Sequence, residues 1–350
     1  MKNIFLLIAV LCTIHLGCNS NAGVDPHLTQ EEILEQQLQQ INTVVGKWKI
    51  RRNTKDFLQT NACELVSVEF TEEGKFILKL GFDEEGTFEQ VYFSGRYDFV
   101  FDQEATTEVR IDRILLMNDD YQETNNPPET GQVATLTDLV IENETGIRFS
   151  LQLGPSTAAD CATGQPLSVA ANKEAEIAPD APEGSNGQLL LQEWRLIDVQ
   201  AFIRDTEEVN VYCQFLADQY EFYCRNEESG PIADDCSQPH TITFTFTGYG
   251  TYLITVFDQN FDVLEYIEAQ WRWHPDPIWP AYERFQVIDS QSDWNSVAEE
   301  DMQDLVIIVL TEGELQIDES FEDVNIRYFF QRSGMTIPAN TCGDLNTYLD

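Results

Sequence analysis

The densest group of side chains suited to recognising a ligand lies between Trp271 and Tyr282, where aromatic residues alternate with basic residues and prolines. Trp271 and Trp273 are two positions apart, so they share one face of a predicted strand. Trp279 and Tyr282 follow in a proline-rich loop. If these rings meet at the mouth of a barrel, they can stack on a sugar or on a flat apolar molecule. The alternative is that they fill a core, because tryptophan is usually buried for its large area.

Motifs typical of enzymes are missing from the chain. It contains no G-x-S-x-G, H-E-x-x-H, P-loop or G-x-G-x-x-G sequence. The chain has four histidines, and His240 and His274 are too far apart in sequence to indicate a zinc site. Two carboxylates alone can serve a glycosidase, but 61 acidic residues make that pattern uninformative. We therefore predict a protein that is not an enzyme and uses no metal or cofactor, with a carboxylate-dependent hydrolase as the weakest alternative.

The charge of the chain excludes one large class of partners. The formal net charge is −41, which repels the phosphates of nucleic acid and disfavours direct contact with anionic lipid. Solubility outside the cell explains such a charge. Calcium binding is the alternative, although none of the acidic clusters has the spacing of a calcium loop.

The first eighteen residues have the pattern of an export signal. Lys2 precedes an apolar run over residues 4–16, which is too short to cross about 30 Å of hydrocarbon as a retained helix. The sequence I-H-L-G-C at residues 14–18 resembles the lipobox of bacterial lipoproteins, in which the cysteine is acylated, for instance with palmitate, and becomes the first residue after cleavage.

This resemblance implies a lipid on Cys18 and attachment of the mature chain to a membrane. Asn19 stands where lipoproteins retained at the inner membrane often have Asp, so we predict a place in the bacterial cell envelope at the outer membrane. An ordinary secretory peptide with an incidental cysteine is the alternative.

The rest of the chain indicates an all-β protein behind a short helix. Thr29 and Glu32 have the spacing of a capping box, which predicts a helix over about 30–43. Period-two patterns then alternate with turns that contain Gly, Asp and Asn, as expected for an antiparallel barrel or sandwich. The residues that share one strand face are Phe76, Leu78, Leu80 and Phe82 and, later, Ile242, Phe244 and Phe246.

Four segments recur in the same order in the two halves of the chain, which indicates a tandem duplication. The matched pairs are residues 45–50 with 191–196, 70–76 with 246–252, 137–141 with 303–307, and 146–150 with 325–329. The second pair has the strand, glycine turn and strand of a hairpin. Residues 169–187 are rich in Pro, Gly, Ala and charge, and we predict a linker there.

Each half resembles the lipocalin-like domains found in lipoproteins of Gram-negative bacteria. The most specific match is Gly46-Lys47-Trp48, which has the G-x-W pattern of the first lipocalin strand, whereas Gln192 replaces the glycine in the second copy. In lipocalins a late arginine covers this tryptophan. The resemblance implies that Arg148 covers Trp48 and that Arg327 covers Trp194, each through a cation–π contact. Unrelated core tryptophans and surface arginines are the alternative.

Six of the eight cysteines lie beyond the N-terminal segment, and an oxidising compartment favours disulfides between them. Their places in the two copies predict a bond between Cys63 and Cys161 and another between Cys236 and Cys342. Cys213 and Cys224 lie in an insertion of the second copy, and we predict that they form the third disulfide. Metal or redox chemistry is the rival explanation, but the chain has no C-x-x-C motif.

We therefore predict two tandem antiparallel lipocalin-like β-barrels after a cleaved signal peptide and a short helical tether. The predicted divisions are a signal peptide over 1–17, a lipid-anchored tether over 18–43, a first barrel over 44–168, the linker, and a second barrel over 188–350. The predicted function is binding of a small apolar or sugar-like ligand in the second barrel. The alternative is a structural or surface-interaction lipoprotein whose barrels are packed and hold no ligand, with a protein partner that the sequence does not identify.

Overall fold

The computed structural model of the chain describes residues 28–51, 63–84, 87–102, 108–118, 131–154, 166–175, 187–203, 207–224, 236–274, 283–290, 292, 294–321, 324–333 and 342–349. The predicted signal peptide and Cys18 lie outside these residues, as do Cys161, Trp279 and Tyr282. Among the helices described, none is long and apolar enough to cross a membrane.

A helix and a closed eight-stranded antiparallel barrel form the first half. The strands are ordered β1 to β8 around the barrel, and β8 pairs with β1 to close it. The elements are α1 (Gln30–Val44), β1 (Gly46–Ile50), β2 (Cys63–Phe70), β3 (Lys75–Glu84), β4 (Thr87–Phe101), β5 (Ile111–Asn118), β6 (Gln132–Asn143), β7 (Gly146–Leu153) and β8 (Leu167–Lys173).

The second half is also a closed antiparallel barrel, with an inserted strand and helix. The pairing of β9 with β17 closes it, and β10 pairs with the end of β9. The strands and α-helix are β9 (Glu193–Ile203), β10 (Glu207–Asn210), α2 (Tyr212–Cys224), β11 (Thr241–Phe246), β12 (Thr251–Phe257), β13 (Val263–Trp273), β14 (Glu283–Asp289), β15 (Gln303–Leu310), β16 (Glu314–Phe321) and β17 (Val324–Arg332). Short 3-10 helices span Gly187–Leu190, Glu299–Asp301 and Leu345–Tyr348.

The predicted fold class and the predicted helix are confirmed. Helix α1 begins with a complete capping box, in which the Thr29 side chain accepts a hydrogen bond from the Glu32 amide and the Glu32 carboxylate accepts one from the Thr29 amide. These bonds satisfy amide groups that the first helical turn leaves without partners. Phe76, Leu78 and Leu80 are fully buried in one barrel, as predicted, and the side chain of Phe82 lies outside the described residues. Ile242, Phe244 and Phe246 are also buried, but so is every other residue of β11.

The duplication extends to individual hydrogen bonds. In the first barrel the Trp48 indole N–H donates to the Val44 carbonyl at 2.7 Å, and in the second the Trp194 indole N–H donates to the Leu190 carbonyl at 3.1 Å. Each acceptor lies four residues before its tryptophan. The two barrels therefore anchor the first strand to the preceding helical turn in the same way.

A turn between the second and third strands is also repeated. It spans residues 71–74 in one barrel and 247–250 in the other, and we call the two segments the paired turns. Gly74 and Gly250 end them with φ of 84° and 75°. Such left-handed values strain any residue with a Cβ, which explains glycine at both positions.

Two predictions about the repeat need correction. Residues 169–173, assigned to the linker, are part of strand β8, where Leu167, Val169 and Ala171 alternate inward. The strand contains Ser168, Ala170 and Ala171, and these small residues made the alternation of apolar and polar side chains hard to recognise in the sequence. The match of residues 146–150 with 325–329 is also wrong, because the former lie in β7 and the latter in β17, whose topological counterpart is β8.

The disulfides of the second barrel differ from the predicted pairs. Cys213 bonds to Cys342 and Cys224 bonds to Cys236, with Cα–Cα distances of 5.3 and 5.8 Å. The predicted bonds Cys213–Cys224 and Cys236–Cys342 are wrong because Cys213 and Cys224 lie at opposite ends of α2. A rise of about 1.5 Å per residue places them about 16 Å apart, beyond disulfide reach. The pairing of Cys63 with Cys161 stays a prediction.

Replacing Trp48 by Phe tests the repeated indole hydrogen bond. The ring remains, but the buried Val44 carbonyl loses its donor, so we expect the free energy of unfolding to fall by about 1–3 kcal/mol in urea titration. Trp194→Phe should cause a similar loss. Unfolding curves of both variants that overlay the wild-type curve would show that these bonds do not stabilise the barrels.

Candidate functional site

The two tryptophans predicted to face a ligand lie inside the second barrel. Trp271 is 1% exposed and packs edge-on against Phe246 and Phe285, with ring centroids 5.7 and 6.2 Å away. Trp273 is also buried, with its ring 5.3 Å from that of Trp271. The predicted ligand-binding role of Trp271 and Trp273 is therefore wrong. Both side chains belong to the core, which was the alternative prediction.

The duplication explains why Trp271 is in the core. Its indole N–H donates to the Thr247 carbonyl at 3.1 Å, and the hydroxyl of Tyr97 donates to the Thr71 carbonyl at 2.6 Å in the first barrel. Trp271 and Tyr97 therefore occupy equivalent places, and each braces one of the paired turns. Aligning β4 with β13 in the sequence would have revealed this equivalence.

Neither of the predicted arginines covers its tryptophan. Arg148 is largely exposed on β7 and pairs with Glu142 at 2.7 Å. Arg327 pairs with Asp318 at 2.6 Å and lies over the Phe202 ring, 5.1 Å from its centroid.

The cation that lies over Trp48 is Lys173, 5.5 Å from the ring centroid. It is directly opposite Trp48 in the β1–β8 pairing that closes the barrel, and Arg332 is opposite Trp194 in the β9–β17 pairing. The sequence feature that would have identified Lys173 is a basic residue at the end of the last strand of the barrel. It was overlooked because residues 169–173 were assigned to the linker and not to β8.

The lysines are distributed unequally between the two barrels. The chain has none after Lys173, so the second barrel contains no lysine. Three lysines of the first barrel contact the second: Lys75 pairs with Glu193 at 2.6 Å, Lys79 pairs with Glu268 at 2.7 Å, and Lys47 donates to the Thr251 hydroxyl at 2.8 Å. In the two ion pairs described between the barrels, the lysine belongs to the first barrel and the glutamate to the second.

The pair of Lys79 and Glu268 is the most buried of these contacts. Its side chains are 11% and 6% exposed, and the Lys79 ammonium also lies 5.0 Å from the ring centroid of Tyr92. The Tyr266 hydroxyl of the second barrel donates to the Ser94 carbonyl of the first at 3.2 Å. These contacts bring β4 and β13 together.

Lys75 favours the ionised form of Glu193 across the interface. Burial acts to raise the pKa of this carboxyl, but the Lys75 ammonium and a hydrogen bond from Ser333 outweigh burial and hold the pKa below its ordinary value. The charged form of Glu193 is therefore favoured at the junction between the barrels.

Glu69 is a buried carboxyl at the interface between the barrels. Its Oε2 accepts from the Thr251 hydroxyl at 2.8 Å and lies 4.0 Å from the Lys47 ammonium, and a hydrogen bond from the Thr247 side chain also acts to lower the pKa of this carboxyl. Burial raises the pKa of this carboxyl above its ordinary value, against the opposing effect of Lys47.

A cavity of about 280 Å³ lies between the paired turns, and we call it the turn cavity. Its polar lining includes Glu69, Glu72, Glu73, Lys173, Gln188 and Tyr249. A second opening of about 590 Å³, lined by Lys47, Lys49, Lys79 and Trp294 among others, lies along the same junction. In the part of the chain described, no group of three or more His, Cys, Asp or Glu side chains is arranged to hold a metal ion.

No protein-family profile and no curated protein matches the chain. Similar solved structures include two variants of transferrin-binding protein B from Haemophilus parasuis Hp5, at 10% and 11% identity with TM-scores of 0.18 and 0.20. They also include the isotype 1 protein from serogroup B Neisseria meningitidis, at 7% identity with a TM-score of 0.18. The matches cover 77%, 82% and 77% of this chain and 53%, 58% and 52% of those chains. The chain therefore spans a little over half the length of each.

Replacing Lys79 by Met tests the charge contacts between the barrels. Glu268 would be left buried without its cation, so we expect the free energy of unfolding to fall by about 3–5 kcal/mol. Lys49→Met is the matched control, because Lys49 is 68% exposed in its pair with Glu174 and its loss should cost less than about 1 kcal/mol. Equal effects of the two substitutions in urea titration would contradict this role for Lys79.

Replacing Glu69 by Gln tests the cost of its buried charge. Because burial raises the folded-state pKa, the contribution of Glu69 to stability is present below its ordinary value of 4.5 and is lost as pH rises through the raised pKa. At pH 7 we expect the free energy of unfolding of the variant to exceed that of the wild type by about 1–3 kcal/mol. The difference should shrink toward pH 4.5, and a constant difference across this range would argue against the buried charge as its cause.

Proposed function

We propose that this protein is a non-catalytic lipoprotein of the bacterial cell envelope, anchored through Cys18 at the outer membrane, that acts through the outer surfaces of two packed barrels. The observation that carries the proposal is the filling of both interiors. Large side chains occupy the space that an open lipocalin barrel leaves for a ligand. The fully buried ones are Trp48, Phe70 and Phe76 in the first barrel and Trp194, Phe246, Trp271, Phe285 and Phe330 in the second.

Helix α2 supports the proposal because it adds to the core of the second barrel. Leu216, Ala217 and Tyr220 are buried in that core, and both ends of the helix are held by disulfides. Burial also raises the pKa of Tyr212 to about 12, so its hydroxyl stays neutral at the start of the helix. Entry of a ligand past α2 would require this helix to leave a packed and covalently fixed position.

The outer face of α2 is the best described candidate for a contact surface. Phe222 is 76% exposed, and Gln214 and Asp218 lie on the same exposed stripe at helical spacing. An exposed aromatic side chain on a fixed helix loses little entropy when it is buried by a partner. Since the second barrel has no lysine and the chain is strongly acidic, a partner with a basic surface is complementary in charge.

The surface function is tested by photo-crosslinking in intact cells, with a photoreactive phenylalanine analogue at position 222 of the full-length chain. We expect a discrete protein adduct whose yield falls when Asp218 is replaced by Lys, because the charge complementarity is reversed. The same analogue at position 285, in the core, is the control and should give no intermolecular adduct.

Two outcomes would count against the proposal. One is equal labelling at positions 222 and 285. The other is a small molecule that copurifies with the wild type in native mass spectrometry and is lost in Trp271→Phe, which would return the function to the barrel interior. The anchor is tested separately, since Cys18→Ala should move the protein from the membrane fraction to the soluble fraction.

A further inference from the structure

The opening of about 590 Å³ at the junction between the barrels concentrates lysines on a strongly acidic protein. We call it the lysine groove, because Lys47, Lys49 and Lys79 line it together with Trp294 and several polar residues. From its donors and its lining we propose that the lysine groove binds a small sugar phosphate, with Lys49 as the principal donor to the phosphate. The lysine groove is separate from the packed interiors and from the outer face of α2, so this inference does not depend on the proposed function.

Strand register brings the three lysines to one face of the first barrel. Lys47 and Lys49 are two positions apart on β1, on the face opposite to the buried Trp48. Lys49 is opposite Ser67 of β2, and Ser67 is opposite Lys79 of β3. Neighbouring strands are about 4.8 Å apart, so the backbones of Lys49 and Lys79 are about 10 Å apart along this row. Three of the seven lysines in a chain of net charge −41 therefore line one small space.

The ammonium groups retain donors that the described residues do not use. An ammonium group can donate three hydrogen bonds. Lys47 and Lys79 each donate one, at 2.8 and 2.7 Å. Lys49 donates none within the described part of the chain, where its one contact is an ion pair with Glu174 at 3.4 Å, and its side chain is 68% exposed. The Lys49 ammonium is therefore accessible and able to donate to a molecule in the lysine groove.

The carboxylates near the lysine groove leave the charge of Lys49 largely available. Glu268 is committed to its lysine at 2.7 Å, and Glu174 faces Lys49 in an exposed pair of the kind that contributes little. Glu69 lies 4.0 Å from Lys47, but burial raises the pKa of that carboxyl and so favours its neutral form. At 0.1 M salt, charges beyond about 10 Å are largely screened, so the nearest charges decide whether a small anion binds.

The duplication shows that the barrel does not require this set of lysines. The residues at the corresponding positions of the second barrel are Glu193 for Lys47, Arg195 for Lys49 and Thr255 for Lys79. The second barrel thus builds the same strands with one cation in place of three. Contacts across the junction account for Lys47 and Lys79. Lys49 has no such contact among the described residues, and a ligand in the lysine groove gives it a role.

The rest of the lining favours a sugar phosphate over a bare anion. A phosphate group carries close to two negative charges and three acceptor oxygens, which suits several ammonium groups. Trp294 is half-buried at the lysine groove and offers a flat apolar surface to a sugar ring. Gln270 donates three described hydrogen bonds through its amide nitrogen, which leaves its carbonyl oxygen to accept from a sugar hydroxyl. The volume lies within the usual range for small-molecule sites.

The test is calorimetric titration of the mature, detergent-solubilised protein with glucose 6-phosphate at pH 7 and 0.1 M salt. Glucose is the neutral probe, and inorganic phosphate is the probe without a ring. We expect one glucose 6-phosphate per chain, weaker binding of inorganic phosphate, and no binding of glucose. Trp294→Ala should lower the affinity for glucose 6-phosphate toward that for inorganic phosphate, because the contact with the ring is lost.

Two variants should change the affinity in opposite directions. Lys49→Met should weaken binding of glucose 6-phosphate about tenfold, since a charge-assisted hydrogen bond is lost. Glu174→Gln should strengthen it, because the carboxylate that competes for Lys49 is removed. Arg110→Met is the matched control, since Arg110 is a 70% exposed cation paired with Glu108 and is not part of the lining. It should leave the affinity unchanged.

Three results would overturn the proposal. The first is equal affinity for glucose 6-phosphate in the wild type and Lys49→Met, or an equal loss in Arg110→Met, either of which would show unspecific attraction to surface cations. The second is failure of the wild type to bind at millimolar glucose 6-phosphate. The third is equal affinity of the wild type for inorganic phosphate and glucose 6-phosphate, which would exclude a contact with the sugar.

Discussion

Two ion pairs join lysines of the first barrel to glutamates of the second. The pairs of Lys75 with Glu193 and of Lys79 with Glu268 are largely shielded from solvent. Shielding raises both the attraction between the charges and the cost of leaving one unpaired. Displacing one barrel would leave these charges buried and unpaired, so the two ion pairs help to specify the relative position of the barrels. In a chain of net charge −41, the same lysines also relieve repulsion where two acidic domains meet.

The duplicated elements show which parts of the barrel are structural and which are specific to one copy. Both copies retain the tryptophan bonded to the preceding helical turn, the glycine turn and an aromatic side chain that braces the turn. They differ at the interface, where the first copy carries the lysines and Glu69 and the second carries Thr245 and the opposing glutamates. The copies also differ by the insertion of β10 and α2, which only the second barrel has.

Large side chains fill the interiors of both barrels, and for this reason the proposed function is placed on their outer surfaces. The core of the second barrel is built from edge-on aromatic contacts, including Phe246 with Trp271 and Phe285. Such a core is stabilised by the area it buries, so a ligand in the same space would have to displace side chains that already pack well. Helix α2 and its two disulfides reinforce this arrangement, because they fix an additional apolar layer to the barrel.

The sequence by itself determined the local features: the helix that begins at Thr29, the inward alternation of Phe76, Leu78 and Leu80, the hairpins with glycine turns, and the presence of two related barrels. These follow from side-chain periodicity and backbone preferences within a few residues. Only the tertiary structure decided the disulfide pairs, the cation over Trp48, the core position of Trp271 and the charge pairs of the interface. Each of these joins residues far apart in the chain, where an inserted helix or a strand register sets which side chains meet. The spacing of residues along the sequence does not give the distances in space between such residues.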